Sequence, residues 1–85
     1  MSEEQIKKIM EMCEKAAKGP WTSFIEGRDF TSGSSFIRTG NIEDDYEIEF
    51  IRIRDEDQDF IAMARNVIPE LIDEINRLKD LLNTN

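Results

Sequence analysis

Ile68, Leu71, Ile75, Leu78 and Leu82 recur at intervals of 3, 4, 3 and 4 residues, the spacing that lines apolar side chains along one side of a helix. Such a stripe has to be covered. In a chain of 85 residues the cover is either the protein's own sheet or another copy, and two heptads are fewer than the three or four that by themselves argue a coiled coil. Leu81 and Leu82 fall where little of the domain is left to cover them. The reading is therefore that Leu71, Ile75, Leu78 and Leu82 form an interface between copies in a homo-oligomer, burying apolar area that one small domain cannot bury alone.

The rest of the pattern supplies one α+β domain, residues 1–85. Ser2 followed by Gln5 reads as a capping box, and Ile6, Ile9, Met10, Cys13, Ala16 and Ala17 follow at helical spacing, which predicts a helix from Glu3 to Lys18 stopped by Gly19-Pro20. The aromatic and β-branched run Trp21 to Ile25 predicts a strand, Arg28 to Ser34 a turn, and Ser35 to Thr39 the returning strand of a hairpin. After a turn at Gly40-Asn41, Tyr46 to Phe50 alternates apolar and acidic residues as a third strand with one wet face. Ile51 and Ile53 break that parity, which marks a bulge or a strand exit. Asp55 and Gln58 read as a second capping box, opening a helix through Phe60, Ile61, Met63 and Ala64. Asn66 and Pro69 read as a break and restart, so the chain is expected to close with two C-terminal helices behind a three-stranded antiparallel sheet.

Composition removes several classes of function. There is no histidine and a single cysteine, Cys13, in a helical pattern that wants a small apolar side chain. That excludes a disulfide framework and a structural zinc site. It also removes the usual general base at neutral pH, so the chain is read as a non-enzyme that needs no cofactor and no metal. Asp55, Asp57 and Asp59 have the alternation of a calcium loop, but Phe60 and Asn66 stand where that loop needs glycine and glutamate. A net charge of −8, from 19 acidic and 11 basic residues, disfavours direct nucleic-acid or anionic-membrane binding. With no long apolar run and an acidic start, a cytoplasmic location is expected.

The placement of cations suggests a binding site. Lys7, Lys8, Lys15, Lys18 and Lys79 lie in the terminal helices, whereas the middle uses arginine: Arg28, Arg38, Arg52, Arg54 and Arg65. Guanidinium forks suit phosphate and carboxylate. Joined to Phe30, Thr31, Ser32, Gly33, Ser34 and Ser35, with Trp21 nearby in sequence, Arg28, Arg38 and Arg65 form a candidate ligand-binding set: hydroxyls and glycine amides for an anion, aromatic faces for a base. Pairing of those arginines with neighbouring carboxylates is the competing reading.

The segment Ala16-Ala17-Lys18-Gly19-Pro20-Trp21, followed by Asp59-Phe60-Ile61-Ala62-Met63-Ala64-Arg65 and Ile68-Pro69-Glu70-Leu71, resembles the small Ead-like proteins of phages and prophages. Arg28-Asp29 and Thr31 to Ile37 are similar to some members as well. The resemblance implies an accessory phage protein in the host-cell cytoplasm, without an activity that transfers residue by residue. Two functions suit such a chain. One is an oligomeric sponge that sequesters a small anionic nucleotide signal of a host defence system. The other is an acidic nucleic-acid mimic that inhibits a basic host protein, a defence nuclease or a transcription factor, through Glu43-Asp44-Asp45, Glu47, Glu49 and Asp55 to Asp59.

Overall fold

Ser2 opens the first helix as the sequence anticipates: its hydroxyl accepts the Gln5 N–H at 3.1 Å, and the Gln5 side chain accepts the Ser2 N–H at 2.8 Å. The computed structural model describes residues 1–40 and 46–83; Asn41 of the expected turn and the acids Glu43, Asp44 and Asp45 lie outside the described residues. Helix α1 spans Glu3–Lys15, strand β1 Thr22–Phe24, β2 Phe36–Arg38, β3 Glu47–Glu49, and helix α2 Asp55–Asn83. The strands form one antiparallel sheet in the order β1-β2-β3.

The expectation of two C-terminal helices is corrected by α2, which runs unbroken for 29 residues with Pro69 inside it. Proline has no N–H for the Arg65 carbonyl, which ordinarily breaks a helix. Here burial decides. Ala62 and Ile72 are both buried, ten residues apart on one face with half-buried Pro69 between them, so a single helix axis serves the core where two would split it. Nor does Asn66 mark a break: it lies inside α2, and its side chain bonds the Trp21 backbone.

Smaller differences have local causes. Helix α1 stops at Lys15, three residues before the expected end, and its Ala16 cap is already extended. The strands are shorter than the apolar runs that suggested them, and β3 ends at Glu49, where the parity of the sequence slips. Asp55 begins α2 from inside, with the N–H groups of Asp57 and Gln58 both bonded to the Arg54 carbonyl, so the second capping box does not form. Gln58 instead turns its side chain into the sheet.

The core lies between α2 and the inner face of the sheet, with α1 packed along α2. Ile6, Ile25, Ile37, Ala62 and Ile72 are its buried apolar residues. Ser23, Ile37 and Ile48 are register partners across the strands and point inward. By the alternation of strands, Thr22, Phe24, Phe36, Arg38, Glu47 and Glu49 share the outer face. At the far end of β2, buried Thr39 donates its hydroxyl to the Tyr46 carbonyl and accepts the Tyr46 N–H.

Candidate functional site

The candidate ligand-binding residues divide into three places. Arg28 belongs to the turn after β1. There the Ile25 carbonyl accepts the N–H groups of Arg28 and Asp29, the Asp29 carboxylate accepts the Ile25 N–H, and Gly27, at φ 85°, donates to the Phe30 carbonyl. Arg28 reaches across to α2 and bonds Asp59 at 2.7 and 3.1 Å while also bonding Asp29 at 2.8 and 3.0 Å. Those two carboxylates hold the guanidinium firmly charged, and it in turn holds both acids below the usual aspartate range. Arg28 is thus an internal tie between the turn and the first turns of α2.

Trp21 and Arg65 form a second cluster further along α2, where they join the end of α1 to α2. Asn66 accepts the Trp21 N–H at 2.7 Å and donates to the Trp21 carbonyl at 2.8 Å. The indole N–H and the Arg65 guanidinium converge on the Ala17 carbonyl at 3.0 to 3.2 Å, and the guanidinium lies 5.9 Å from the Trp21 ring. A cation at the carbonyl end of α1 also complements the helix dipole. Gly19 sits against Asn66, where an added Cβ would lie 3.4 Å from its side-chain oxygen. The short segments Gly19-Pro20-Trp21 and Arg65-Asn66 are here two halves of one structural clasp.

The third place is the outer face of the sheet. Phe24 and Phe36 stack at 5.1 Å and 22°, and Phe30 tilts against Phe36 at 5.7 Å. Arg38 lies 5.7 Å from both the Phe24 and the Phe36 ring centroids and bonds Glu47 at 3.2 Å on the adjacent strand. Ser35 faces back into the loop and accepts the Glu26 N–H. Thr31, Ser32, Gly33 and Ser34 are exposed beside the aromatic group, and among the described residues nothing bonds the Thr31, Ser32 or Ser34 hydroxyls. Gly33 takes φ 114° with its α-carbon against the Phe30 ring, a conformation and an approach that a side chain would disturb.

Of the residues the sequence proposed, the fold therefore sets Arg38 and Phe30 around Phe36, with Thr31, Ser32, Gly33, Ser34 and Ser35 following Phe30 in the loop, and sends Arg28, Trp21 and Arg65 elsewhere. It adds Phe24, Phe36 and Glu47. Their signal lay in the sequence: Phe24 two residues from Thr22, and Phe36 two from Arg38, share a face in any hairpin that pairs these runs. Among the described residues no group of three or more Cys, Asp or Glu side chains is arranged to hold a metal ion, and no helix is long and apolar enough to cross a membrane. Comparison with protein-family models, with curated proteins and with solved structures finds no match to this chain.

Proposed function

We propose that this protein is a non-catalytic binding protein that sequesters a planar, phosphate-bearing ligand, a nucleotide by its chemistry, on the outer face of its sheet. The observation that carries this reading is Arg38 lying over two stacked phenylalanines beside a hydroxyl-rich loop. A base extends the Phe30–Phe36–Phe24 group by stacking, and the phosphate takes the Arg38 fork with the hydroxyls of Thr31, Ser32 and Ser34. Glu47 is one partner of Arg38 in the free protein, and an exposed ion pair of this kind is weak enough for a doubly charged phosphate to compete with. An accessory role of the phage type, as the sequence resemblance implies, suits sequestration without turnover.

Calorimetry against nucleoside diphosphates, ADP-ribose and cyclic oligonucleotides tests the reading. Binding in the micromolar range is expected, weakened about 10- to 100-fold by Arg38→Ala, as loss of a charge-assisted contact implies. Glu47→Gln removes one competing carboxylate and is expected to tighten binding. Arg28→Ala leaves the affinity unchanged, because that guanidinium is already consumed by Asp29 and Asp59. The absence of heat with every ligand refutes the proposal.

A second reading, the acidic inhibitor of a basic host protein, draws on exposed Glu49 and on Asp55, Glu56 and Asp57 in the first turn of α2. Its mark is affinity for a basic protein that falls steeply with added salt and with Glu49→Gln.

A further inference from the structure

Helix α2 carries two apolar faces, and the fold uses one. Ala62 and Ile72 are buried against the body of the protein. The other face follows a strict heptad from Ile61 to Leu82 once α2 is continuous: Ile61, Ile68, Ile75 and Leu82 at position a, Ala64, Leu71 and Leu78 at position d. Three heptads meet the length that two did not. Toward the C-terminal end most of this seam stands in solvent, with Ile68 37%, Leu71 55%, Leu78 47% and Leu82 79% exposed and Ile75 between them half-buried. Pro69 falls at position b, off the seam, so it leaves the stripe uninterrupted.

We propose that a second copy of this chain covers the seam, in a parallel, in-register homodimer. The choice of residues favours this partner and this orientation. Isoleucine at a with leucine at d is the combination that favours two parallel strands. The flanking positions agree. Position g holds Phe60, Val67, Glu74 and Leu81, and position e holds Arg65, Ile72 and Lys79. Parallel pairing brings each g residue to the e residue five positions on in the other copy, so Glu74 meets Lys79 of the partner subunit, opposite charges. Antiparallel pairing brings e against e and sets Arg65 against Lys79 of the partner subunit, both cations.

The same register accounts for two features the single chain leaves open. Phe60 is 63% exposed, an aromatic ring on the surface beside the seam. On the e side, α1 and α2 flank an apolar cavity of about 440 Å³ lined by Ile9, Met12, Cys13, Ala16, Arg65 and Ile68. Pairing of g with e delivers Phe60 of the partner subunit to Arg65, at the rim of that cavity. Each copy thereby fills the other's gap between its helices, and the dimer becomes a four-helix arrangement of two α1–α2 pairs.

The test combines sedimentation with cysteine cross-linking. In a Cys13→Ser background, the protein is expected to sediment as a dimer across the micromolar range. Leu71→Cys and Leu78→Cys, each alone, are expected to form an intersubunit disulfide with its own equivalent, since in-register d positions lie within the 4.4–6.8 Å that a disulfide spans between α-carbons. Leu78→Glu and Phe60→Ser are expected to raise the dimer dissociation constant at least 10-fold while the circular dichroism of the body is retained, both positions being exposed in the single chain. A monomer at all these concentrations overturns the proposal. So does a dimer that cross-links only between Leu71→Cys and Ile75→Cys variants mixed together, which is the antiparallel result.

Discussion

Gln58 is fully buried and is the polar residue on which the sheet hangs from α2. Its Nε2 donates to the Ser23 hydroxyl at 3.0 Å and to the Phe24 and Phe36 carbonyls at 3.2 and 3.0 Å, while Oε1 has no partner. Turning the amide over would set its oxygen against two carbonyl oxygens, so the donor is what the site requires. Gln58→Leu strands those carbonyls and is expected to cost about 2 kcal/mol in urea unfolding, each lost partner weighing about 1–3 kcal/mol and the added apolar burial offsetting part. Gln58→Glu is expected to cost more at pH 7, about 3 kcal/mol or above, because an ionised carboxylate has no hydrogen to give and is desolvated. Burial raises the folded pKa of that glutamate, so the folded state holds the proton longer. Its deficit is smallest below about pH 4.3 and grows as pH rises from there to the folded value. Equal costs for both variants at all pH values would show that the carbonyls do not need a donor. Sequence spacing marked Gln58 as a cap because it sees only local partners; the Phe24 and Phe36 carbonyls are 34 and 22 residues away in the chain. Arg28 was misplaced for the same reason. Its pairing with adjacent Asp29 is visible in sequence, but Asp59, 31 residues on, is what completes it.

At the scale of elements, periodicity carried what depends on one segment at a time. The capping of α1, the hairpin, the acidic alternation of β3 and the heptad stripe of α2 all follow from neighbours within a few residues. Continuity of α2 does not. Asn66 and Pro69 look like punctuation, and only the turn between α1 and β1, folding back onto Asn66, turns them into interior residues of one helix. Asn66→Ala removes both bonds to the Trp21 backbone and leaves a half-buried N–H and carbonyl without partners. The expected cost is about 2 kcal/mol, with a red shift of Trp21 fluorescence in the folded state as the indole loses its fixed position. An unchanged spectrum would show that Arg65 alone holds the tryptophan through the Ala17 carbonyl. Asn66→Asp keeps the acceptor and loses the donor, and is expected to fall between the two.

For the whole molecule, the question is how 11 cations are spent among 19 acids. Arg65 sews α1 to α2, and Arg28 sews the loop after β1 to α2, so the long helix is the post to which the other elements are tied. Acidification acts on this arrangement in two opposed ways. Protonating surface carboxylates relieves the self-repulsion of a chain with net charge −8, which favours the compact state. Protonating Asp29 and Asp59 releases Arg28, which disfavours it. Comparison with Arg28→Met isolates the second effect, because repulsion among the remaining acids is nearly common to both proteins. Asp29 and Asp59 are held below their ordinary value near 3.8, by Arg28 first, then by the Ile25 N–H for Asp29 and by the Ser23 hydroxyl for Asp59. Depressed carboxylates give stability that is present above the unfolded pKa and lost as pH falls through the folded ones. Wild type is therefore expected to melt above Arg28→Met from pH 5 to pH 7, with the gap closing as pH drops below about 3.8. Both carboxylates remain partly accessible to solvent, so 1 M salt is expected to narrow the gap at pH 7. Thermal scans at one fixed protein concentration check this, the concentration held constant because a dimer's midpoint depends on it. A gap that stays constant down to pH 2 would mean that Arg28 contributes through the packing of its stem against the loop, and that its two carboxylates contribute nothing.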